Sequence, residues 1–167
     1  MNRVIVICVE SSKQAGFDDK YIDNIIKHYY GDRNPIRYVN MDGKGNYNKR
    51  SIKQNIQDKC IGFREAVIIY AIDLDYFESN YQQKELNERV IAYVNQMNYQ
   101  LVWFYPNIEH VLVGEDVDKN KKRARVTQFT KNQDIIFINT VYLEALTIKK
   151  GYSNILSVLD KYLQRKK

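Results

Sequence analysis

Apolar residues along the chain fall into two kinds of pattern. Residues 4–9, VIVICV, form an unbroken run that suits a strand covered on both faces, and the run stops at Glu10. Beyond a polar loop at 11–17, Tyr21, Ile22, Ile25, Ile26 and Tyr29 recur at helical spacing, with Asp18 and Asp19 where a helix N-terminus favours negative charge. This predicts an amphipathic helix closing near Gly31. Pro35 opens a short strand at 36–41, which breaks at a DGKGN turn, 42–46. Ile52, Ile56 and Cys60 in a polar background predict a second, more exposed helix over 48–62. Residues 66–72, AVIIYAI, repeat the first run and also end in acid, at Asp73 and Asp75. Leu86, Val90, Ile91 and Val94 mark a third helix over about 83–97, and 101–104 a fourth strand.

Strand and helix therefore alternate, which predicts an α/β fold: a mainly parallel sheet of about four central strands, joined by right-handed crossovers and flanked by helices in three layers. The core spans about 3–113, and 114–167 is expected to be a C-terminal helical extension of the same single domain. Within it, 115–125 (EDVDKNKKRAR) has no apolar period and is expected to be an exposed loop. Residues 135–146 are expected to form a strand and then a helix, and 155–163 a final helix leading to Arg165, Lys166 and Lys167, whose charges suit a helix C-terminus. No internal repeat or interdomain linker interrupts the 167 residues.

Composition narrows the classes further. Aromatic residues make up 13% of the chain against seven Gly and two Pro, which excludes collagen-like and low-complexity chains. No apolar run approaches the roughly 20 residues needed to span a bilayer, and no basic segment precedes a cleavage site, so a soluble, cytoplasmic protein without a membrane partner is expected. Cys8 and Cys60 are too few for a disulfide framework or a four-thiolate zinc site and read as core thiols. With 26 Lys and Arg against 20 Asp and Glu, the net charge of +6 favours polyanionic partners.

Candidate chemistry lies at the strand ends, because ligands of open parallel sheets bind beyond the carboxyl ends of the strands. Glu10, Asp73 and Asp75 all fall there, and acids held together raise one another's pKa unless a cation such as Mg²⁺ neutralises them. Continued strand geometry would send Asp73 and Asp75 to one face, and Glu10 joins them only if the first and third strands are neighbours. The glycines of DGKGN would let backbone amides and Lys44 approach a phosphate; the alternative is a plain turn. Lys119, Lys121, Lys122, Arg123 and Arg125 suit salt-dependent contacts with a nucleic-acid backbone, or else form a solvated loop. Tyr76 and Phe77 are either base-stacking side chains or an anchor under the third helix, and His110 is either an acid or a packing histidine. His28 carries no particular signal.

VIVICVE at 4–10 followed by VIIYAIDLDYF at 67–77 resembles the Toprim domains of topoisomerases, primases and OLD-type nucleases, in which one strand ends in Glu and a later one in Asp-x-Asp. Within that superfamily the chain is most similar to the RloB-like proteins of bacterial defence loci. Their Asn-Pro-x-Phe-Glu element has its counterpart in YPNIEHVLV at 105–113, with Asn and Pro reversed, and their Glu-Gly pair reads Glu10-Ser11 here. The resemblance implies a Mg²⁺- or Mn²⁺-dependent nuclease cleaving RNA or DNA. In it Glu10 is the general acid/base or a metal ligand, Asp73 and Asp75 are ligands, and Glu109 is an extra carboxylate. It also implies a partner ATPase or other defence protein, and self-association. The competing class is a non-catalytic nucleic-acid or nucleotide-binding module, which Ser11 favours because a side chain stands where Gly would admit a phosphate. A haloacid-dehalogenase-type phosphatase, with Asp73 and Asp75 as nucleophile and acid and 111–118 as its distal acidic motif, leaves too few residues between its motifs.

Overall fold

A computed structural model describes residues 2–12, 17–32 and 35–166. Part of the expected loop, 13–16, and the terminal Lys167 lie outside the described residues. Strands β1 (Arg3–Val9), β2 (Ile36–Asn40), β3 (Glu65–Asp73), β4 (Gln100–Tyr105) and β5 (Tyr152–Ser153) form a five-stranded sheet in the order β2-β1-β3-β4-β5. The first four are mutually parallel and β5 runs antiparallel to β4. From β1 the chain passes to one side to make β2 and then returns to the other side to make β3. The β1–β3 boundary is therefore the topological switch point, the place where such sheets open a crevice.

Alternation along the strands divides the core in two. Ile5, Ile7, Val9, Ile69, Ala71, Val102 and Phe104 face helices α1 (Asp18–Tyr30) and α5 (Lys122–Asn132), together with the short α6 (Ile155–Leu159). Val4, Val6, Cys8, Ile68, Tyr70, Ile72 and Trp103 face α2 (Arg50–Cys60) and α3 (Tyr81–Gln96). This is the expected α/β sheet flanked by helices on both faces, and no helix among the described residues is long and apolar enough to cross a membrane. Cys8 is buried and Cys60 half-buried, both as free thiols.

The C-terminal part departs from the sequence expectation. The segment expected as a loop at 115–125 enters α5 at Lys122, because Val126 and Phe129 drop into the core, Phe129 edge-on to Tyr21 with ring centroids 5.2 Å apart. Residues 135–146 form two 3₁₀ turns, at Asp134–Phe137 and Thr140–Tyr142, in place of a strand and a helix. Only Ile135 and Leu143 of that apolar stretch are buried deeply, while Phe137 and Leu146 stay exposed. A six-residue helix, α4 (Ile108–Val113), follows the cis Tyr105–Pro106 peptide. Beyond β5, Asn154 extends the pairing of β4 through its side chain: Oδ1 accepts from Trp103 N–H at 2.9 Å and Nδ2 donates to Leu101 C=O at 3.0 Å. The last helix stops at Leu159, and the tail returns to α1, where Lys166 N–H donates to Tyr29 C=O at 2.8 Å.

Candidate active site

Glu10 leaves the end of β1 and Asp73 ends β3, and the two strands are the neighbours that the site requires. Asp73 N–H donates to Glu10 Oε1 at 2.8 Å, so the two acids are linked directly across the switch point. Asp73 Oδ1 accepts from Ile108 N–H at 2.9 Å, which ties the carboxylate to α4.

Asp75 takes another path. Leu74 is buried and its N–H donates to Phe104 C=O, while Asn87 Nδ2 donates to Leu74 C=O at 2.8 Å. Asp75 then adopts a positive φ of 54° and its N–H donates to Pro106 C=O. Asp is among the residues that tolerate this left-handed conformation. Extended geometry therefore ends at Asp73, and the expectation that both aspartates share one face is corrected. The Asp75 carboxylate instead meets Lys44 Nζ at 2.7 Å.

Lys44 is buried rather than displayed to a phosphate. The turn that carries it is pinned by Gly43, whose φ of +108° suits glycine and whose N–H donates to Glu10 C=O at 2.7 Å. From there Nζ donates to the Asp73 carbonyl and to Asp75, and lies 3.8 Å from Glu10 Oε1.

A second group of charges adjoins the first. Glu109, on α4, is 1% exposed and lies 2.9 Å from Lys122 Nζ of α5. Asp18, in the first turn of α1, accepts from Ser11 N–H at 3.2 Å. The sequence placed Asp18 only as a dipole partner; the signal that pointed further is the crossover itself, which brings the start of α1 to the carboxyl end of β1. Glu10, Ser11, Asp18, Asp73, Lys119 and Lys122 are among the residues lining one cleft of about 610 Å³.

Burial pushes the Glu10 carboxyl up to about 7, against the pull of Lys44 and with a further push from Asp75. Asp18 rises to about 6 through burial and then Glu109. Asp73 is driven well above the usual carboxylate range by burial first and Glu10 second. Burial alone would lower Lys122, but Glu109 raises it above its ordinary value. Five carboxylates, of Glu10, Asp18, Asp73, Asp75 and Glu109, thus face the two ammonium groups of Lys44 and Lys122.

Among the described residues no group of three or more His, Cys, Asp or Glu side chains is gathered to hold a metal ion, and within the expected trio Asp75 is paired with Lys44. The donor set still fits Mg²⁺: hard carboxylate oxygens in net negative surroundings, in a cleft that contains both Glu10 and Asp73. Mg²⁺ ordinarily uses one or two carboxylates together with substrate phosphates rather than a complete protein cage.

The basic run divides in the structure. Lys122 is tied to Glu109, and Arg125 lies 3.7 Å from Glu115 and 3.3 Å from Gln128. Lys119, Lys121 and Arg123 remain exposed, Lys121 with Asp118 at 3.5 Å. Phe77 packs on Tyr105 with ring centroids 5.0 Å apart and is the anchor, whereas Tyr76 is 40% exposed and its hydroxyl donates to Asp116. The same Asp116 accepts from Asn107 Nδ2 at 2.9 Å and lies 3.2 Å from His110 Nδ1, so His110 belongs to this surface cluster. No family model matches the chain, and no curated protein or solved structure matches it.

Proposed function

We propose that this chain is a Mg²⁺-dependent nuclease that cleaves phosphodiesters of RNA or DNA, of the Toprim-like, RloB-like kind associated with bacterial defence. The observation that carries the reading is the direct link between Glu10 and Asp73 at the switch point, in a cleft whose acids outnumber its lysines. Glu10 and Asp73 would hold Mg²⁺ together with a substrate phosphate. When bound, the ion supplies charge neutralisation at the phosphate oxygens and lowers the pKa of water. Asp73 is kept in place by Ile108 N–H, and Glu10 by Asp73 N–H. Asp18, standing at about 6 in the same cleft, is poised to exchange a proton near neutral pH. Lys119 and Lys122 at the cleft and the exposed Lys121 and Arg123 supply positive charge for the nucleic-acid backbone.

The test is incubation of the protein with a mixed RNA and DNA pool in Mg²⁺ or Mn²⁺. Cleavage is expected in the wild type, with loss in Asp73→Asn and Glu10→Gln and a fall of about 10²–10⁴ in Asp18→Asn. In binding assays, changing Lys119, Lys121 and Arg123 together to Ala should lower the dependence of log affinity on log salt by about 0.9 for each lost phosphate contact. A wild type that binds the pool and cuts none of it with either ion overturns the nuclease reading in favour of a binding module.

A further inference from the structure

Two positive charges stand among the acids of the site, and they are held differently. Lys122 reaches in from α5 and lines the cleft, with its side chain 35% exposed. Lys44 is 5% exposed, and its neighbours Asp42 and Gly43 line the cleft in front of it. Its ammonium touches every member of the Glu10, Asp73 and Asp75 constellation: the Asp75 carboxylate, the Asp73 carbonyl and, at 3.8 Å, the Glu10 carboxylate. We propose that Lys44 is a resident cation of this site, which takes Asp75 as its partner and leaves the Glu10 and Asp73 carboxylates to a single divalent ion.

The inference rests on the nuclease reading and specifies how many ions that site accepts. A Glu with an Asp-x-Asp pair offers three carboxylates, enough for the two-ion arrangement common in phosphoryl-transfer sites. Here the third is withdrawn by the lysine: the Asp75 carboxylate, carried on a backbone held to Pro106, is fastened to Nζ at 2.7 Å. The lysine is fastened in turn, because Gly43 holds its turn to the Glu10 carbonyl and Asn46 Nδ2 holds the same turn to the Met41 carbonyl at 2.9 Å. A second divalent ion at Asp75 would have to expel a buried ammonium or sit beside it, and like charges in such surroundings are weakly screened. Lys44 acts through Glu10 and Asp75 and is a positioning residue.

The experiment is titration of the full chain with Mn²⁺ alone, with free ion followed by electron paramagnetic resonance. Wild type and Lys44→Arg are expected to take one ion per chain, and Lys44→Met, which keeps the length and removes the charge, to take two. Asp75→Asn should still take one, because Asp75 is not a ligand; this variant carries the test if Lys44→Met does not fold, as judged by circular dichroism. Two ions in the wild type, an unchanged single ion in folded Lys44→Met, or loss of the ion in Asp75→Asn would each overturn the role of Lys44 and leave the nuclease reading standing. Failure of the wild type and of every variant to take up Mn²⁺ would overturn the inference, while the cleavage assay decides the nuclease reading separately.

Discussion

Burial and the acids around it hold the Glu10 carboxyl at about 7, against an ordinary value of 4.5, so the folded state prefers this group protonated. The stabilisation is complete below 4.5 and is lost as pH rises from there through 7, a change on the order of 3 kcal/mol that Glu10 shares with the acids around it. Asp18, at about 6, and Asp73 act in the same direction. Urea unfolding in a chelator is therefore expected to show stability falling between about pH 4.5 and pH 7, and Glu10→Gln is expected to flatten part of that fall. Mn²⁺ should restore more stability at the upper end, where it no longer competes with protons for the carboxylates. The same residue illustrates what a sequence reveals at this scale. Glu10 and Asp73 were legible because each ends a strand buried on both faces, and open sheets place their chemistry there. Lys44 and Asp18 were not, since their roles depend on how a turn and a helix start fold over the sheet edge. Asp75 was misplaced because extended geometry was assumed to continue past Leu74, where the chain actually leaves the sheet.

Helix α5 carries the only side chain of the basic run that is tied to the acidic group, Lys122, and it is held to the body of the protein by two buried residues, Val126 and Phe129. Phe129 fills a site against Tyr21 of α1, the helix that also supplies Asp18. Phe129→Ala should thus cost about 3–5 kcal/mol in global unfolding. It should also raise amide hydrogen exchange across 122–132 above that of β1 and β3, since the docking contact of a peripheral helix is lost while the central strands keep theirs. Exchange rising equally in all three would mean that α5 unfolds only with the whole domain. Elements of this kind resist reading from sequence. Two apolar anchors three residues apart, set in lysines and arginines, give hardly any period, whereas β1 and β3 declare themselves by unbroken apolar runs. The six residues of α4 and the two of β5 are shorter than any window that a period needs.

Across the whole molecule, a chain of net charge +6 concentrates acid in one cleft at the sheet's carboxyl end and keeps exposed lysine and arginine on the neighbouring segment. That separation suits a polyanion drawn to the outside and a cation drawn to the inside. The same sheet has two outer strands, and they are closed in different ways. β2 lies at one end with Arg37 exposed, a charge that discourages another strand from adding there. At the other end, β4 would be an edge but for β5, which pairs only with Phe104 and Tyr105. The Asn154 amide does the rest, since its carbonyl oxygen and NH₂ satisfy Trp103 and Leu101 as a third strand residue would. One side chain thus completes the closure of this edge that β5 begins. Asn154→Ala leaves a donor and an acceptor of a hydrophobic strand without partners, and those groups are a template for a second copy. Light scattering should then detect concentration-dependent association in Asn154→Ala above that of the wild type, with Asn154→Asp, which keeps only the acceptor, between the two.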